Sequence, residues 1–273
     1  MMNAAAPVLL MGCGKMGGAL LKGWTEAGLP ADRIAVVEPD AASRDNAAKR
    51  FGVAAFADAA EIPARFHPHS VVIAVKPQLI LKVLPAYGRF AGGDTVFLSI
   101  AAGTRIAALK KALGGGNVVR AMPNLPASIG CGISVACADT SVAPEARSRF
   151  EALLAAVGEV AWIDDEMLMD AVTAVSGSGP AYVFLLAECL AEAGVASGLP
   201  AELAMRLARA TVEGSGELLR GDAATAAQLR QNVTSPAGVT AAALAVLMAP
   251  DGLADLMRRA IAAATARSRE LSQ

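Results

Sequence analysis

A chain of 273 residues is long enough for two modest domains, each with a core of its own. Its 55% hydrophobic content rests on alanine, leucine and valine, with aromatics at only 4%, a balance that suits helices and buried parallel strands and argues against disorder. With 24 basic side chains against 25 acidic ones and no basic block, the charge pattern argues against nucleic acid as a partner.

The apolar start, 4–11, has no cationic lead-in and no cleavage site, and no segment offers roughly 18 uninterrupted apolar residues, so neither a signal peptide nor a membrane span is expected. The cytoplasm is the expected compartment. From Val8 the apolar run stops at Gly12, and a helical pattern begins just after Gly17. Gly12, Gly14 and Gly17 hold the G-x-G-x-x-G spacing of a dinucleotide site, with Lys15 and Met16 between them. In such a site the first glycine permits the tight turn, the second lets backbone approach a pyrophosphate, and the third allows the helix to pack closely on the strand. Among 26 glycines the spacing arises by chance at times, and its context between strand and helix is what gives it meaning. A second strand, Ile34–Val37, ends in Glu38, roughly 20 residues beyond the glycines, where the ribose hydroxyls would lie.

Next, a helix is expected over 40–51, a short strand over 53–56 and a helix over 58–66. The apolar run 70–75 reads as a buried strand that stops at Lys76-Pro77-Gln78, a carboxyl end of the kind where open α/β sheets bind ligands. A helix over 78–87, a strand over 95–100 and the small-residue turn Ala101-Ala102-Gly103-Thr104 follow, with Thr104 as N-cap of a helix over 105–113. A strand over 117–121 ends at Met122-Pro123-Asn124, and a strand over 132–138, a helix over 143–157 and a strand over 159–163 close this half. Alternation at this rhythm predicts βαβ units and a parallel sheet.

Beyond Asp164-Asp165 only alanine- and leucine-rich helical segments remain, over 166–174, 181–197, 201–219, 223–231, 240–248 and 252–271. The expected fold is therefore an α/β Rossmann-type dinucleotide-binding domain, 1–164, followed by an all-α domain, 165–273. Two small-residue stretches interrupt the helices: SGSGPAY from Ser176, which restarts a helix near Pro180, and NVTSPAGVT from Asn232 to Thr240. Either alone reads as an inter-helix turn; together, rich in hydroxyls and N–H groups, they form a candidate cradle for a carboxylate. Cys13, Cys131, Cys137 and Cys189 show no C-x-x-C pairing and no histidine at ligand spacing, so no metal is expected, and His67 and His69 sit together in a loop-like FHPHS.

The stretches GCGKMGGAL, AVKPQ, SIAAG, RAMPN, SGSGPAY and NVTSPAGVT stand in the order and at the spacing seen in pyrroline-5-carboxylate reductases, and the chain resembles that family over essentially its whole length. The resemblance implies NADPH or NADH bound by the N-terminal domain and 1-pyrroline-5-carboxylate as the small-molecule substrate. It also implies a homodimer formed by interlocking helices of the C-terminal domain, with rings of dimers in parts of the family.

Reduction of a cyclic imine needs a hydride donor, a grip on the substrate carboxylate and at most one proton for nitrogen. Coenzyme contacts then fall to Gly12, Gly14, Lys15, Met16, Gly17, Glu38, Val75, Lys76, Pro77, Ala101, Ala102, Gly103 and Asn124. Substrate contacts fall to Ser176 and Gly177 in the first stretch and to Val233, Ser235, Ala237, Gly238 and Thr240 in the second, with backbone N–H groups in place of an arginine clamp. Thr240 is the candidate catalytic residue, hydrogen-bonded to the ring nitrogen, and a plain N-cap role is its alternative. Glu38 would repel a 2′-phosphate and tilt the chain toward NADH, with Arg44 able to offset it. Two other readings share the two-domain pattern. A β-hydroxyacid dehydrogenase would carry a catalytic lysine in the first helical segment of its second domain, and 166–181 has none. A non-enzymatic nucleotide-binding protein would have no use for the two intact small-residue stretches.

Overall fold

The computed structural model describes residues 6–272, so residues 4 and 5 of the apolar start lie outside it. Contacts divide the chain into one unit that runs to Gly177 and takes back the chain from Thr265, and a second of Ser178–Ala264.

The first unit is built on one sheet. Its strands are β1 (Val8–Met11), β2 (Ile34–Val37), β3 (Ala54–Phe56), β4 (Ser70–Ile73), β5 (Val96–Ser99), β6 (Asn117–Met122), β7 (Gly132–Ala138) and β8 (Gly158–Trp162), in the order β3-β2-β1-β4-β5-β6-β7-β8. Helices α1 (Lys15–Glu26), α2 (Ala41–Phe51), α3 (Pro77–Val83), α4 (Ile106–Leu113) and α5 (Pro144–Ala155) connect them. Strand alternation explains why β1 is apolar at every position. Val8 and Leu10 face one core with Leu20, Leu21 and Trp24 of α1 and Phe150 of α5, while Leu9 and Met11 face another with Ile80 of α3 and Leu109 of α4. The Trp24 indole N–H, fully buried, donates to the Leu153 carbonyl at 2.8 Å and so ties α1 to α5.

The sheet is parallel from β3 to β6, but β6 and β7 pair antiparallel, against expectation. Between them lies only a short 3₁₀ segment, Leu125–Ile129, and a parallel crossover needs a dozen residues or more. The helix expected over 58–66 is a single 3₁₀ turn, Ala59–Glu61, started by the Asp58 carboxylate on the Ala60 N–H and followed by Pro63. The one expected over 78–87 becomes α3 and then a 3₁₀ stretch, Leu84–Phe90, because Pro85 has no N–H to continue the α ladder. Thr104 does not cap α4: the cap position is Arg105, and the Glu166 carboxylate, 60 residues on, accepts the Ile106 N–H at 2.9 Å. The same oxygen pairs at 3.1 Å with the buried Arg120 guanidinium of β6.

From Glu166 the chain makes a 3₁₀ turn, Glu166–Leu168, then α6 (Met169–Val172) and a π turn, Thr173–Gly177. The helical run is broken at Ser178 alone and resumes as α7 (Gly179–Ala196), with Pro180 in its first turn. Met169 is buried in the core of the sheet, so packing draws 165–177 into the first unit although composition changes at Asp164-Asp165. The run Glu166–Ala196 is long and apolar enough, by length and composition, to cross a membrane, a property the primary sequence was not expected to show. In the second unit α7 packs on α8 (Ala201–Gly221) through small residues: a Cβ on Gly194 would stand 3.2 Å from the Ala204 Cβ. Helices α9 (Ala226–Asn232), α10 (Val239–Leu247) and α11 (Leu253–Leu271) follow, and α11 ends in the first unit.

Candidate active site

Met11, Ile73, Ser99 and Arg120 lie side by side in register, so the turns that follow β1, β4, β5 and β6 leave the sheet at one edge, its carboxyl edge. The fingerprint turn occupies the centre of that edge. Gly12 has φ +87°, and its N–H donates to the Val37 carbonyl at 2.8 Å. A Cβ there would stand 2.9 Å from the Ala74 carbonyl oxygen, and one on Gly17 would overlap the Gly12 carbonyl itself. Gly14 differs. A Cβ at this position meets no protein atom within 4 Å, so its need for glycine is set by whatever approaches the backbone from outside.

Gly14 is also the N-cap of α1 and offers no side-chain acceptor, whereas Asp40 caps α2 and Thr225 caps α9. The first amides of α1, from Lys15 to Gly17, therefore face no side-chain acceptor at the cap, a start whose partial positive charge suits an anion such as a pyrophosphate. A cavity of about 340 Å³ runs from Cys13, Gly14 and Lys15 to Lys22 of α1 and across to Asn46 and Arg50 of α2, with Ser128 at its wall. The sequence carried no signal joining those last four to the fingerprint.

Glu38 is held by the backbone. Its Oε2 accepts the Cys13 N–H at 2.7 Å, inside the fingerprint turn, and its Oε1 accepts the Asp40 N–H at 3.0 Å. Arg44 donates to the carbonyls of Glu38 and Pro39, both at 3.1 Å, and makes no bond to the carboxylate. Burial, and secondarily the Glu38 charge, push the Cys13 thiol above its ordinary range, which leaves it protonated and inert at neutral pH.

Val75 and Lys76 follow β4, with Lys76 as N-cap and Pro77 as first residue of α3. Ala101, Ala102 and Gly103 follow β5, and Gly103 takes φ +80°. Asn124 follows β6, where its side-chain oxygen accepts the Ile133 N–H at 3.0 Å, leaving its NH₂ as the donor it can offer. Ser176 and Gly177 sit in the π turn. The Ser176 hydroxyl donates to the Val172 carbonyl at 3.0 Å and the Thr173 hydroxyl to that of Met169 at 2.8 Å, so Ser176 presents only lone pairs outward. A Cβ on Gly177 would stand 2.5 Å from the Met122 methyl, a contact between turn and strand end that the sequence did not reveal.

In the second unit Val233, Ser235, Ala237, Gly238 and Thr240 fall together at the start of α10. Gly238 is the N-cap, has no side-chain acceptor, and donates its N–H to the Ser235 carbonyl at 3.1 Å. A side chain on Gly238 would overlap the Ser235 hydroxyl. Ala237, at φ +56°, is the one non-glycine with positive φ among the described residues. Thr240 is the second residue of α10, not its cap, which removes the capping alternative.

A doubly wound dinucleotide unit joined to a helical unit, each with a helix start left open to an anion, is the make-up of a nicotinamide-coenzyme oxidoreductase. Residues 166–271 match the family described as pyrroline-5-carboxylate reductase dimerisation, and residues 7–103 match NADP oxidoreductase, coenzyme F420-dependent. A pyrroline-5-carboxylate reductase of Pseudomonas aeruginosa is 38% identical over 97% of both chains. The solved structure of that enzyme from Coxiella burnetii has a TM-score of 0.92 at 32% identity, covering 98% of this chain and 99% of that one. The Plasmodium falciparum pyrroline carboxylate reductase, solved with NADP bound, has a TM-score of 0.81 at 30% identity over the whole of both chains. The chain belongs to the pyrroline-5-carboxylate reductase family.

The second and third glycines of the fingerprint should separate in a thermal melt. Gly17→Ala is expected to lose about 1–3 kcal/mol from overpacking against the Gly12 carbonyl. Gly14→Ala should stay within about 1 kcal/mol of the parent, the range for an N-cap change.

Proposed function

We propose that this chain reduces 1-pyrroline-5-carboxylate to L-proline with NADH or NADPH, the last step of proline biosynthesis. Family membership supports the activity, and the observation in the molecule that carries it is the open start of α10, fit for the carboxylate of a small acid. Purified protein should oxidise reduced coenzyme only when 1-pyrroline-5-carboxylate is added, read by the loss of coenzyme absorbance. Oxidation without that substrate, or none with it, would overturn the proposal.

When bound, the reduced coenzyme supplies a hydride. The chain's part is to bind, orient and protonate. The α1 amides, the turns at 75–77 and 101–103, and Asn124 hold the coenzyme; the amides at Val233, Ser235 and Ala237, the Ser235 hydroxyl and the first amides of α10 hold the substrate carboxylate, with Gly238 closing that loop on Ser235; Ser176 and Gly177 are assigned as further substrate contacts. Thr240 donates its hydroxyl to the ring nitrogen. A cyclic iminium is strongly electrophilic already, so placement can supply on the order of 7–11 kcal/mol of the barrier reduction in favourable cases.

The protein is a homodimer. Val183, Phe184, Leu185, Leu186 and Leu190 of α7 lie exposed on a single subunit, and they fall within the residues that match the dimerisation family. This also accounts for the membrane-like composition of Glu166–Ala196. The described cysteines are free, with Cys131 and Cys189 exposed, which suits a reducing compartment, and we place the enzyme in the cytoplasm.

Three substitutions test the assignments. Gly238→Val should raise the KM for substrate about ten- to a hundredfold by removing charge-assisted hydrogen bonds, with coenzyme affinity unchanged; loss of coenzyme binding with substrate affinity spared would refute it. Glu38 favours NADH by accepting ribose hydroxyls and repelling a 2′-phosphate, and its two backbone bonds stop it from swinging aside. Glu38→Ser should weaken both coenzymes through the freed Cys13 N–H and lower the NADH to NADPH ratio of kcat/KM about tenfold or more. An unchanged ratio would show that Glu38 does not read the ribose. Thr240→Ala should cost about 10²-fold in kcat, the low end for a general acid. The loss should shrink as pH falls and the substrate arrives protonated, and a variant with parental rates across the pH range would take Thr240 out of the mechanism.

A further inference from the structure

Behind the turn that follows β5 lies the last turn of the chain's final helix. A Cβ on Gly103 would stand 3.2 Å from the Leu271 carbonyl oxygen, and Ala101 and Thr104 on either side are buried. The end of α11 is held there by Asp170 of α6. One carboxylate oxygen of Asp170 accepts the Ser268 hydroxyl at 2.6 Å and the Ser272 hydroxyl at 3.0 Å. All three side chains are buried, Asp170 to 4% exposure. A carboxylate out of water is costly unless hydrogen-bonded, and an apolar residue at that position would pack α11 at least as well. What the carboxylate adds is a fixed position for the helix end.

One helical turn before Asp170 stands Glu166, whose carboxylate holds the Ile106 N–H. Two acids a turn apart thus bracket the segment 101–106: Glu166 fastens its far end directly, and Asp170 fastens the backing of its near end through α11. We infer that Asp170 is a positioning residue for the coenzyme turn, setting the Ala101–Gly103 backbone through the end of α11. The inference rests on the reading of that turn as a coenzyme contact.

The test uses the full-length dimer, with hydrogen exchange over 99–106 and NADH affinity by coenzyme fluorescence. In Asp170→Ala, exchange in that segment should quicken about tenfold and the NADH Kd should rise about tenfold, a fraction of the worth of two buried hydrogen bonds to a charged group, since the effect reaches the turn only through the end of α11. Turnover at saturating NADH should change by less than about twofold, since substrate and proton donor are untouched. Asp170→Asn keeps an acceptor oxygen for both serines and should restore both readouts, which a general loss of packing would not. Should Asp170→Ala fail to fold, Ser272→Ala removes one of the two bonds and should show the same pattern at about threefold. Unchanged exchange over 99–106 in these variants would overturn the positioning role. Faster exchange with unchanged NADH affinity would instead overturn the placement of coenzyme at Ala101–Gly103, and the inference with it.

Discussion

The contact on which the carboxyl edge of the sheet depends is the packing of α1 on the turn that ends β1. Gly17 of the helix lies so near the Gly12 carbonyl that no Cβ fits between them, and a Cβ on Gly12 would in turn stand 2.9 Å from the Ala74 carbonyl oxygen. Because β1 sits between β2 and β4 with both faces covered, that contact fixes where α1 begins relative to the carboxyl edge of the sheet. Everything else at the edge takes its place from it. The Glu38 carboxylate reaches the Cys13 N–H because the turn is this tight, and the α1 amides open outward because Gly12 and Gly17 hold the helix start in line with the strand.

Helix starts divide by what satisfies them. Asp40 and Thr225 cap α2 and α9 with their own side chains, and a remote carboxylate, Glu166, serves α4. At α1 and α10 the cap is a glycine without a side-chain acceptor. A glycine cap costs only roughly 0.3 kcal/mol relative to a side-chain cap. A missing side-chain cap is shared with α3, α5, α7 and α8; what sets α1 and α10 apart is a glycine at the cap, which leaves the first amides and the helix dipole without a side chain in front of them.

What was legible in the sequence was local. The fingerprint, Glu38 at the end of β2, and the small-residue turns after β4, β5 and β6 are patterns of neighbours, and they fall on one edge as the alternation of strands and helices requires. The features that escaped depend on distant partners. No pattern near Arg105 signals that α4 is capped from Glu166, and nothing near Gly177 signals the Met122 methyl against it. The SGSGP stretch reads as a loop because glycine and proline usually end helices; in the fold the hydroxyls of Thr173 and Ser176 bond back to carbonyls four residues earlier and carry the chain through a π turn. The antiparallel β7 was hidden for a different reason, since it turns on the shortness of the segment after β6 and not on the composition of either strand.

Ala237 shows how the loop before α10 differs from an ordinary turn. A left-handed backbone at a residue with a Cβ costs roughly 1–2 kcal/mol, and glycine would remove the cost. The strain persists because both sides are fixed: Pro236 restricts the chain before it, and Gly238 after it is closed on Ser235, whose carbonyl takes its N–H and whose hydroxyl fills the space a side chain would need. A glycine at 237 would relieve the strain but widen the conformations open to the loop before any ligand arrives, and that ordering would then have to be supplied on binding. The strain at Ala237 and the closure of Gly238 on Ser235 therefore act together to hold the start of α10 in one conformation.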